Sequence, residues 1–278
     1  MHPVTPMGGD SQVDRKSIVI PPGHWELFDP FLMLAEDWFS TSGFDWHPHR
    51  GIATVTLVVD GALEHGDNRG HAGVLAPGDV QWMTAGSGII HRELAHRDER
   101  AHTLQLWLNL PATHKMVESR YQDFTAEDFA VEVGEGTRVE VVSGSSGGLT
   151  GPASTHWPVT GRRLSVEPGR SLSLPLPGDH RGFLYVLSGR LRAGSDRIEV
   201  GAGEVAWSDP HAAGTGMLEL EAPEGDEVVH AILFSGRPIG EPVVAGGPFV
   251  MNSAAEIRQA YVDFHAGRFG DVPALTRL

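Results

Sequence analysis

Residues 47–61 read His-Pro-His-Arg-Gly-Ile-Ala-Thr-Val-Thr-Leu-Val-Val-Asp-Gly, and this stretch decides the fold class. The run Thr54 to Val59 is rich in β-branched residues, which favour extended strands. The dipeptide Asp60-Gly61 follows at once and predicts a hairpin turn, because glycine tolerates the positive φ that such turns require. The segment therefore predicts a buried strand that ends in a tight turn.

Similar runs recur along the chain and are separated by glycine and proline, of which there are 35 and 19. The segment His102 to Leu110 alternates leucine with polar or aromatic residues, as a strand with one buried face does, and Pro111 ends it. In the second half, Phe183 to Leu187 leads into Ser188-Gly189. Asn68-Arg69-Gly70 predicts a further turn. Many short strands with frequent turn signals predict an all-β sandwich or barrel.

The two halves of the chain resemble each other. Gly78-Asp79-Val80-Gln81-Trp82 matches Gly203-Glu204-Val205-Ala206-Trp207 in four of five residue classes, at an offset of 125 residues. The turn glycines Gly61 and Gly189 match at an offset of 128. The repeat predicts two similar β-barrel domains, over residues 1–130 and 131–278.

The boundary between the domains is expected between residues 115 and 150. The acid-rich segment Lys115 to Val133 has a helical composition, and the Gly-Ser run from Ser143 to Gly148 predicts a flexible connection. Near the C-terminus, Ser253-Ala254-Ala255-Glu256 is a capping box, and Ile257, Ala260, Tyr261 and Phe264 follow at helical spacing. We expect a C-terminal helix that packs this apolar stripe against a barrel.

Composition limits the function classes. Thirty-six acidic residues against 21 lysines and arginines give a formal net charge of −15, which argues against direct nucleic-acid binding. The absence of cysteine excludes thiolate metal sites, iron–sulfur clusters and cysteine nucleophiles. No stretch of 18 apolar residues and no signal-peptide core is present, so we expect a cytoplasmic protein without a membrane span.

Two pairs of metal-capable residues lie in the first half. His47 and His49 form one pair and His91 and Glu93 the other, and residues i and i+2 of a strand point to the same side. Three imidazoles and one carboxylate suit Fe, Mn, Ni, Cu or Zn better than Ca or Mg. The alternative is that these are ordinary histidines satisfied by hydrogen bonds, although two such pairs in one half favour a metal site.

Other polar residues carry weaker signals. His65, His71, His96 and His102 lie near expected turns or strand ends, where exposed histidine is common, and Gln105 is interpreted as a polar-face residue of a strand. The repeat offsets carry His47, His49, His91 and Glu93 onto positions of the second half that bear no ligand type, namely Pro175, Pro177, Gly216 and Leu218. We therefore predict no metal site in the second half. His180, His211 and His230 are interpreted as solvated or structural.

The sequence resembles the pirin family. The similarity is carried by five segments that together span most of the chain: His47-Pro48-His49-Arg50-Gly51, Pro77 to Gly86, Gly88-Ile89-Ile90-His91, Leu104-Gln105-Leu106-Trp107 and Gly247 to Asn252. The resemblance implies a bicupin fold, with His47, His49, His91 and Glu93 as the iron ligands. The sequence departs from the family at Ala53, where members carry glutamate. We expect this exchange to leave more room and less negative charge near the metal.

For bacterial pirins the resemblance implies a flavonol (quercetin-type) 2,3-dioxygenase, which opens the flavonol ring with O2 and releases carbon monoxide. Fe(II) is the expected cofactor, and Mn, Ni, Cu, Co or Zn are also compatible with the donor set. Glu93 is the candidate proton acceptor. The alternative is a non-enzymatic metal-binding regulator that contacts a transcription factor or a metabolic enzyme. Substrate, oligomeric state and partner stay open at this stage.

Overall fold

A computed structural model of the chain describes residues 2–3, 5–8, 12–40, 43–98, 100–211, 214–225 and 227–273. The strands of the first half are β1 (His2–Pro3), β2 (Thr5–Gly8), β3 (Arg15–Ile20), β4 (Phe31–Phe39), β5 (Gly43–His49), β6 (Ile52–Gly61), β7 (Leu63–Asp67), β8 (Ala72–Leu75), β9 (Val80–Thr84), β10 (Ile89–Ala95), β11 (Ala101–Asn109) and β12 (Arg120–Phe124). Those that follow are β13 (Ala130–Gly134), β14 (Thr137–Ser143), β15 (Ser145–Ser146), β16 (Leu149–Thr150), β17 (Val159–Val166), β18 (Ser171–Pro177), β19 (Arg181–Ser188), β20 (Arg190–Ala193), β21 (Ile198–Gly201), β22 (Glu204–Ser208), β23 (Thr215–Glu221), β24 (Val229–Gly236), β25 (Val244–Gly246) and β26 (Phe249–Met251). The helices are α1 (Trp25–Phe28) and α2 (Ala254–His265), with 3₁₀ turns at His96–Asp98 and Ala112–His114.

The first barrel is built from two antiparallel sheets. A seven-stranded sheet has the order β12-β9-β6-β11-β4-β3-β2, and a four-stranded sheet has the order β5-β10-β7-β8. Strand β6 contains the run Thr54 to Val59 and is buried along most of its length, as its β-branched sequence predicts. Gly61 at its end has φ of +74°, in agreement with the expected turn.

The second barrel repeats this arrangement. Its sheets have the orders β1-β22-β19-β24-β17-β14-β13 and β18-β23-β20-β21. Strands β6, β9 and β11 of the first barrel therefore correspond to β19, β22 and β24 of the second. Gly189 has φ of +75°, close to that of Gly61. The all-β prediction is confirmed, and the repeated strand order accounts for the similarity of the two halves.

The chain divides between residues 127 and 128, but the last segment does not follow the sequence division. One compact unit consists of residues 5–127 and 239–278, and the other of residues 1–4 and 128–238. The prediction from the sequence places the C-terminal helix in the second domain, residues 131–278. In the structure, residues 239–278 group with the first barrel instead, because β26 and α2 pack on its strands.

Helix α2 forms as the sequence indicates. Ser253 is the N-cap, and its hydroxyl accepts a hydrogen bond from the Glu256 amide at 3.3 Å. The buried face of the helix joins an apolar cluster that contains Ile90 of β10 and Phe249 of β26, together with Ala260 of the helix. This cluster fixes the helix against the strand that carries His91.

Two local predictions were wrong. The segment Lys115 to Val133 forms the strands β12 and β13 rather than a helix. Strand β12 pairs along β9, so that edge pairing outweighs the weak helical propensity of this segment. The run Ser143 to Gly148 is also not a free linker, because β15 and β16 pair there and the Ser143 hydroxyl donates to the Val159 carbonyl at 3.0 Å.

Among the residues that the structure describes, we found no helix with the length and apolar character needed to span a membrane.

Candidate metal centre

Two neighbouring strands of the first barrel carry the predicted ligands. Strands β5 and β10 pair antiparallel, and His91 lies directly opposite His47. His47 and His49 are two residues apart on β5, so both imidazoles lie on one face of the sheet. The imidazole of His91 lies on the same face, because it is directly opposite His47. The register shifts between His91 and Glu93, which marks a β-bulge. Bulges often re-aim a side chain next to a functional site, and here the bulge separates two candidate ligands.

The structure brings the three histidines together. A ligand nitrogen of each of His47, His49 and His91 lies within 4.8 Å of those of the other two. The ring centroids are 4.4 Å apart for His47 and His91, 4.9 Å for His47 and His49, and 5.1 Å for His49 and His91. Among the described residues this is the one group of histidines and carboxylates with such spacing. The group therefore has the geometry of a single metal site.

Burial keeps the three imidazoles in the form that a metal requires. Desolvation lowers the pKa of His49 and of His91 well below 6.5, and the neighbouring histidines lower both further. Desolvation also lowers the pKa of His47, although the Asp45 carbonyl and the Glu93 charge oppose it. Neutral imidazole has a free lone pair for coordination, whereas the imidazolium ion has none.

Backbone carbonyls orient two of the rings. Nδ1 of His47 donates to the Asp45 carbonyl at 2.7 Å, and Nδ1 of His49 donates to the Pro248 carbonyl at 3.3 Å. With Nδ1 protonated, Nε2 carries the lone pair of each ring. Nε2 of His49 and both ring nitrogens of His91 are buried without a hydrogen-bond partner. Buried polar atoms normally have partners, so these orphaned nitrogens fit a metal ion between the rings.

Glu93 is buried beside the histidines but does not belong to the group of three. Its Oε1 accepts a hydrogen bond from the Thr56 hydroxyl at 3.0 Å, and its Oε2 accepts one from the Gln105 amide at 2.5 Å. The side chain is 2% exposed. Its charge contributes to the pKa of His47, which places the carboxylate near the group. The structure thus brings Glu93 next to the three imidazoles and holds it through two donors.

The interpretation of Gln105 as a polar-face residue is wrong. Gln105 is buried, and it connects Glu93 to Trp107, whose indole nitrogen donates to Gln105 Oε1 at 3.2 Å. Thr56 is not identified as a site residue from the sequence either. The signal that would have found both is register: Thr56 and Gln105 lie directly opposite each other on β6 and β11. Their side chains therefore share one face of the sheet.

His65 was also misjudged, because it is buried rather than exposed. Its side chain is 1% exposed, and its Nε2 lies 3.1 Å from the Asp123 carboxylate. The ring stacks on Tyr121 with centroids 5.6 Å apart. The charge of His65 contributes to the lowered pKa of His91, so it belongs to the surroundings of the candidate metal centre.

The other three histidines considered from the sequence, His71, His96 and His102, pair with carboxylates instead. His71 is exposed and lies 2.8 Å from Asp67. His102 lies 2.7 Å from Glu36, and its ring stacks on Trp38. His96 lies 3.5 Å from Glu64. None of these three belongs to the group of imidazoles described above.

Ala53 does not have the effect expected from the sequence. It lies opposite Leu108 on β11, whereas Thr54 and Thr56 lie opposite Trp107 and Gln105. Because successive residues of a strand point to opposite faces, Ala53 faces away from the side that holds Glu93. The methyl group therefore does not enlarge the space around the three imidazoles.

The equivalent strands of the second barrel carry no such group among the described residues. Pro175 and Pro177 lie on β18, and Gly216 and Leu218 lie on β23. Of the three second-half histidines considered from the sequence, His211 and His230 are exposed, and His180 is buried. Desolvation lowers the pKa of His180.

Comparison with known proteins agrees with this architecture. Residues 19–108 match the family model described as Pirin, and residues 162–270 match the model described as Pirin C-terminal cupin domain. The chain is therefore an all-β bicupin, with one cupin domain in each half.

Relatives of the whole chain carry the same family name. The protein named Pirin-like protein 2 of Arabidopsis thaliana is 38% identical over 269 residues, which cover 94% of this chain and 81% of that relative. Human Pirin is 38% identical over 267 residues, covering 92% of this chain and 87% of its own length. A crystal structure of quercetin 2,3-dioxygenase from Acinetobacter baumannii superimposes with a TM-score of 0.85 at 29% identity, covering 98% of this chain and 96% of that one. The chain belongs to the pirin family.

Proposed function

We propose that this protein is a metal-dependent dioxygenase that opens the ring of flavonols such as quercetin and releases carbon monoxide. The single observation that carries the proposal is the group of three neutral imidazoles, whose ligand nitrogens lie within 4.8 Å of one another. The similarity to the Acinetobacter baumannii quercetin 2,3-dioxygenase supports it, at 29% identity over 98% of this chain. Fe(II) is the proposed metal, because imidazole nitrogen suits the first-row transition metals.

His47, His49 and His91 would hold the metal through one ring nitrogen each. Glu93 is proposed as the fourth ligand, because it lies two residues after His91 and its charge acts on His47. A metal in this position supplies Lewis acidity, which makes a coordinated phenolic hydroxyl easier to ionise. The carbonyls of Asp45 and Pro248 keep two of the rings in the orientation that this role requires.

Glu93 is proposed to accept the proton of the flavonol hydroxyl. A general base must lie within hydrogen-bond reach of the proton that it removes, and Glu93 is a buried acidic residue whose charge acts on the ring of His47. Thr56 and Gln105 each donate to one of its oxygens and fix the position of the carboxylate. The buried surroundings exclude bulk water from the carboxylate.

The test is aerobic incubation of the iron-loaded protein with quercetin. We expect the flavonol absorbance to disappear and one carbon monoxide to be released per flavonol. Glu93→Gln should lose turnover while retaining metal. His230→Gln, which changes an exposed histidine of the second barrel, is the matched control and should behave as the wild type.

A metal-binding regulator is the second candidate. The observation that favours it is the formal net charge of −15, since strongly charged surfaces steer protein association. If fully metal-loaded wild-type protein leaves a panel of flavonols unchanged, the dioxygenase proposal fails and the regulator becomes the better account of the metal centre.

A further inference from the structure

Three paired strands of the second barrel, β22, β19 and β24, correspond to the strands β9, β6 and β11 of the first barrel, which carry the two residues that hydrogen-bond to Glu93. In the first barrel, Thr56 lies opposite Gln105 on one side and Gln81 on the other. In the second barrel, Leu184 lies opposite Leu233 and Ala206 in the same way. The offset of 128 residues that relates Gly61 to Gly189 also carries Thr56 onto Leu184 and Gln105 onto Leu233.

The positions of Gln81 and Glu93 are related to the second barrel by the other offset, that of 125 residues. The shift of 125 residues that relates Trp82 to Trp207 carries Gln81 onto Ala206 and Glu93 onto Leu218. Glu93 and the residues around it are therefore replaced by apolar residues in the second barrel. The side chains of Leu184 and Leu233 are 3% and 1% exposed, and both belong to the main apolar cluster of this barrel.

These apolar positions line a cavity of about 200 Å³. Leu184, Ala206, Leu218 and Leu233 form its wall, and Leu176 of β18 contributes from the strand that corresponds to β5. None of the residues that line the cavity is charged. The cavity therefore occupies, in the second barrel, the position that the metal centre has in the first.

An exposed entrance completes the site. Phe183 and Trp207 alternate with Leu184 and Ala206 along their strands, so their rings pack together on the opposite face of the sheet, with centroids 5.5 Å apart. Ile198 lines the cavity as well and is 46% exposed, so the cavity opens to solvent at this residue. Ser208 is the one residue of the lining with a hydroxyl group.

From this replacement of polar by apolar residues we infer that the second barrel is a binding site for a small uncharged apolar molecule of the size of one ring, held without a metal. An apolar cavity of about 150 Å³ accommodates benzene, so a ligand of one substituted ring fits here. A carboxylate or ammonium group would lose its hydration without gaining a partner from the lining. The inference is independent of the proposed dioxygenase activity.

The test uses toluene and benzoate as matched probes, with methyl-resolved NMR of the full-length protein as the readout. Toluene should give saturable shifts in the methyl signals of Leu176, Leu184, Leu218 and Leu233. Ala206→Phe fills the cavity and should weaken toluene binding by about tenfold or more. Ala255→Phe, on the exposed side of α2, is the size-matched control and should leave binding unchanged.

Three results would overturn the inference. One is the absence of saturable shifts in these methyl signals, and another is a response confined to the first barrel. The third is benzoate binding as tightly as toluene, because that would require a charged partner. If Ala206→Phe does not fold, Leu218→Trp tests the same cavity from a residue that is only partly buried.

Discussion

The guanidinium of Arg50 donates to the carboxylate of Asp263 at 2.7 Å, across 213 residues of sequence. Arg50 follows His49 directly, and Asp263 lies on α2. The Arg50 side chain also lies over the ring of Phe269, 4.5 Å from its centroid. This ion pair explains why the C-terminal segment belongs to the first barrel: it is attached to the strand end that carries two of the three imidazoles.

The ion pair of Arg50 and Asp263 predicts a pH-dependent contribution to the stability of the fold. Hydrogen bonds from Arg50, Gln259 and Arg268 lower the pKa of Asp263 to about 2. A carboxyl group whose folded pKa lies below its unfolded value of about 3.9 stabilises the fold above that value and loses the contribution as the pH falls toward the folded pKa. Asp263→Asn should therefore lower the urea midpoint by a constant amount above about pH 5. The difference from wild type should shrink steadily between about pH 4.5 and 3.

The measurement is urea unfolding of both proteins across this pH range. Glu132→Gln, an exposed carboxylate of the second barrel, is the control and should follow the wild type. A difference between Asp263→Asn and the wild type that persists unchanged to pH 3 would contradict the role of the charged pair.

Lys115 provides a second link to the C-terminal segment. Its ammonium donates to the Gly51 carbonyl at 2.9 Å, to Asn109 Oδ1 at 2.7 Å and to the Val250 carbonyl at 2.9 Å. Burial lowers the pKa of Lys115 to about 8. Gly51 has φ of +79°, and a Cβ at this position would overlap the Val250 carbonyl oxygen, so the close approach of the two segments requires glycine.

We expect Lys115→Met to lower the free energy of unfolding by about 2–5 kcal/mol, because three buried acceptors lose their donor. Arg258→Met, on the exposed face of α2, should change it by less than about 0.5 kcal/mol. Urea unfolding at pH 7 measures both values. Equal stability of the two variants would show that the buried ammonium contributes nothing.

Much of this architecture could be predicted from the sequence. The strand periodicity, the turn glycines Gly61 and Gly189, and the spacing of His47 and His49 are local features that the backbone geometry of a strand converts into structure. The capping box predicted α2 for the same reason. Local patterns of this kind survive folding because they depend only on neighbours in the chain.

The features that the sequence did not reveal depend on residues distant in the chain. The hydrogen bonds of Thr56 and Gln105 to Glu93 require the register of three strands, and the burial of His65 requires β12 to lie at the edge of the sheet. The attachment of α2 to the first barrel rests on Arg50 and Asp263, which lie far apart in sequence. Pattern analysis of one segment contains no information on such pairs.

The contacts of Glu93 predict the effect of its supporting residues on catalysis. Thr56→Val removes the hydroxyl that donates to Oε1 of Glu93 and leaves a side chain of similar shape. For the proposed dioxygenase reaction of the iron-loaded protein, we expect kcat to fall by about 10- to 100-fold while the iron content stays the same. Thr56→Ser retains the hydroxyl and should restore most of the activity. Loss of iron in Thr56→Val would instead indicate a structural role.

The lowered histidine pKa values predict an acid sensitivity of the metal-free protein. Below about pH 6.5 the unfolded chain protonates its histidines, whereas buried His49 and His91, whose pKa values lie well below 6.5, stay neutral in the fold. The unfolded state then binds more protons, so stability falls as the pH decreases, by up to about 1.4 kcal/mol per histidine and pH unit. In His49→Gln the stability should fall less steeply with decreasing pH, because about one proton fewer is taken up on unfolding.

Urea unfolding of the chelator-treated proteins between pH 7 and 5.5 checks this prediction. His211→Gln, which replaces an exposed histidine, should retain the full dependence. Parallel curves for wild type and His49→Gln would mean that His49 is protonated in the folded protein and is not poised to bind a metal.

Anomalous diffraction from crystals of the iron-loaded protein, recorded at the iron absorption edge, is the most direct measurement of the central claim. We expect one peak per chain, within coordination distance of the ring nitrogens of His47, His49 and His91, and none between β18 and β23 of the second barrel. An iron peak at any other site, or iron-containing crystals without density among these three imidazoles, would contradict the assignment of the metal centre.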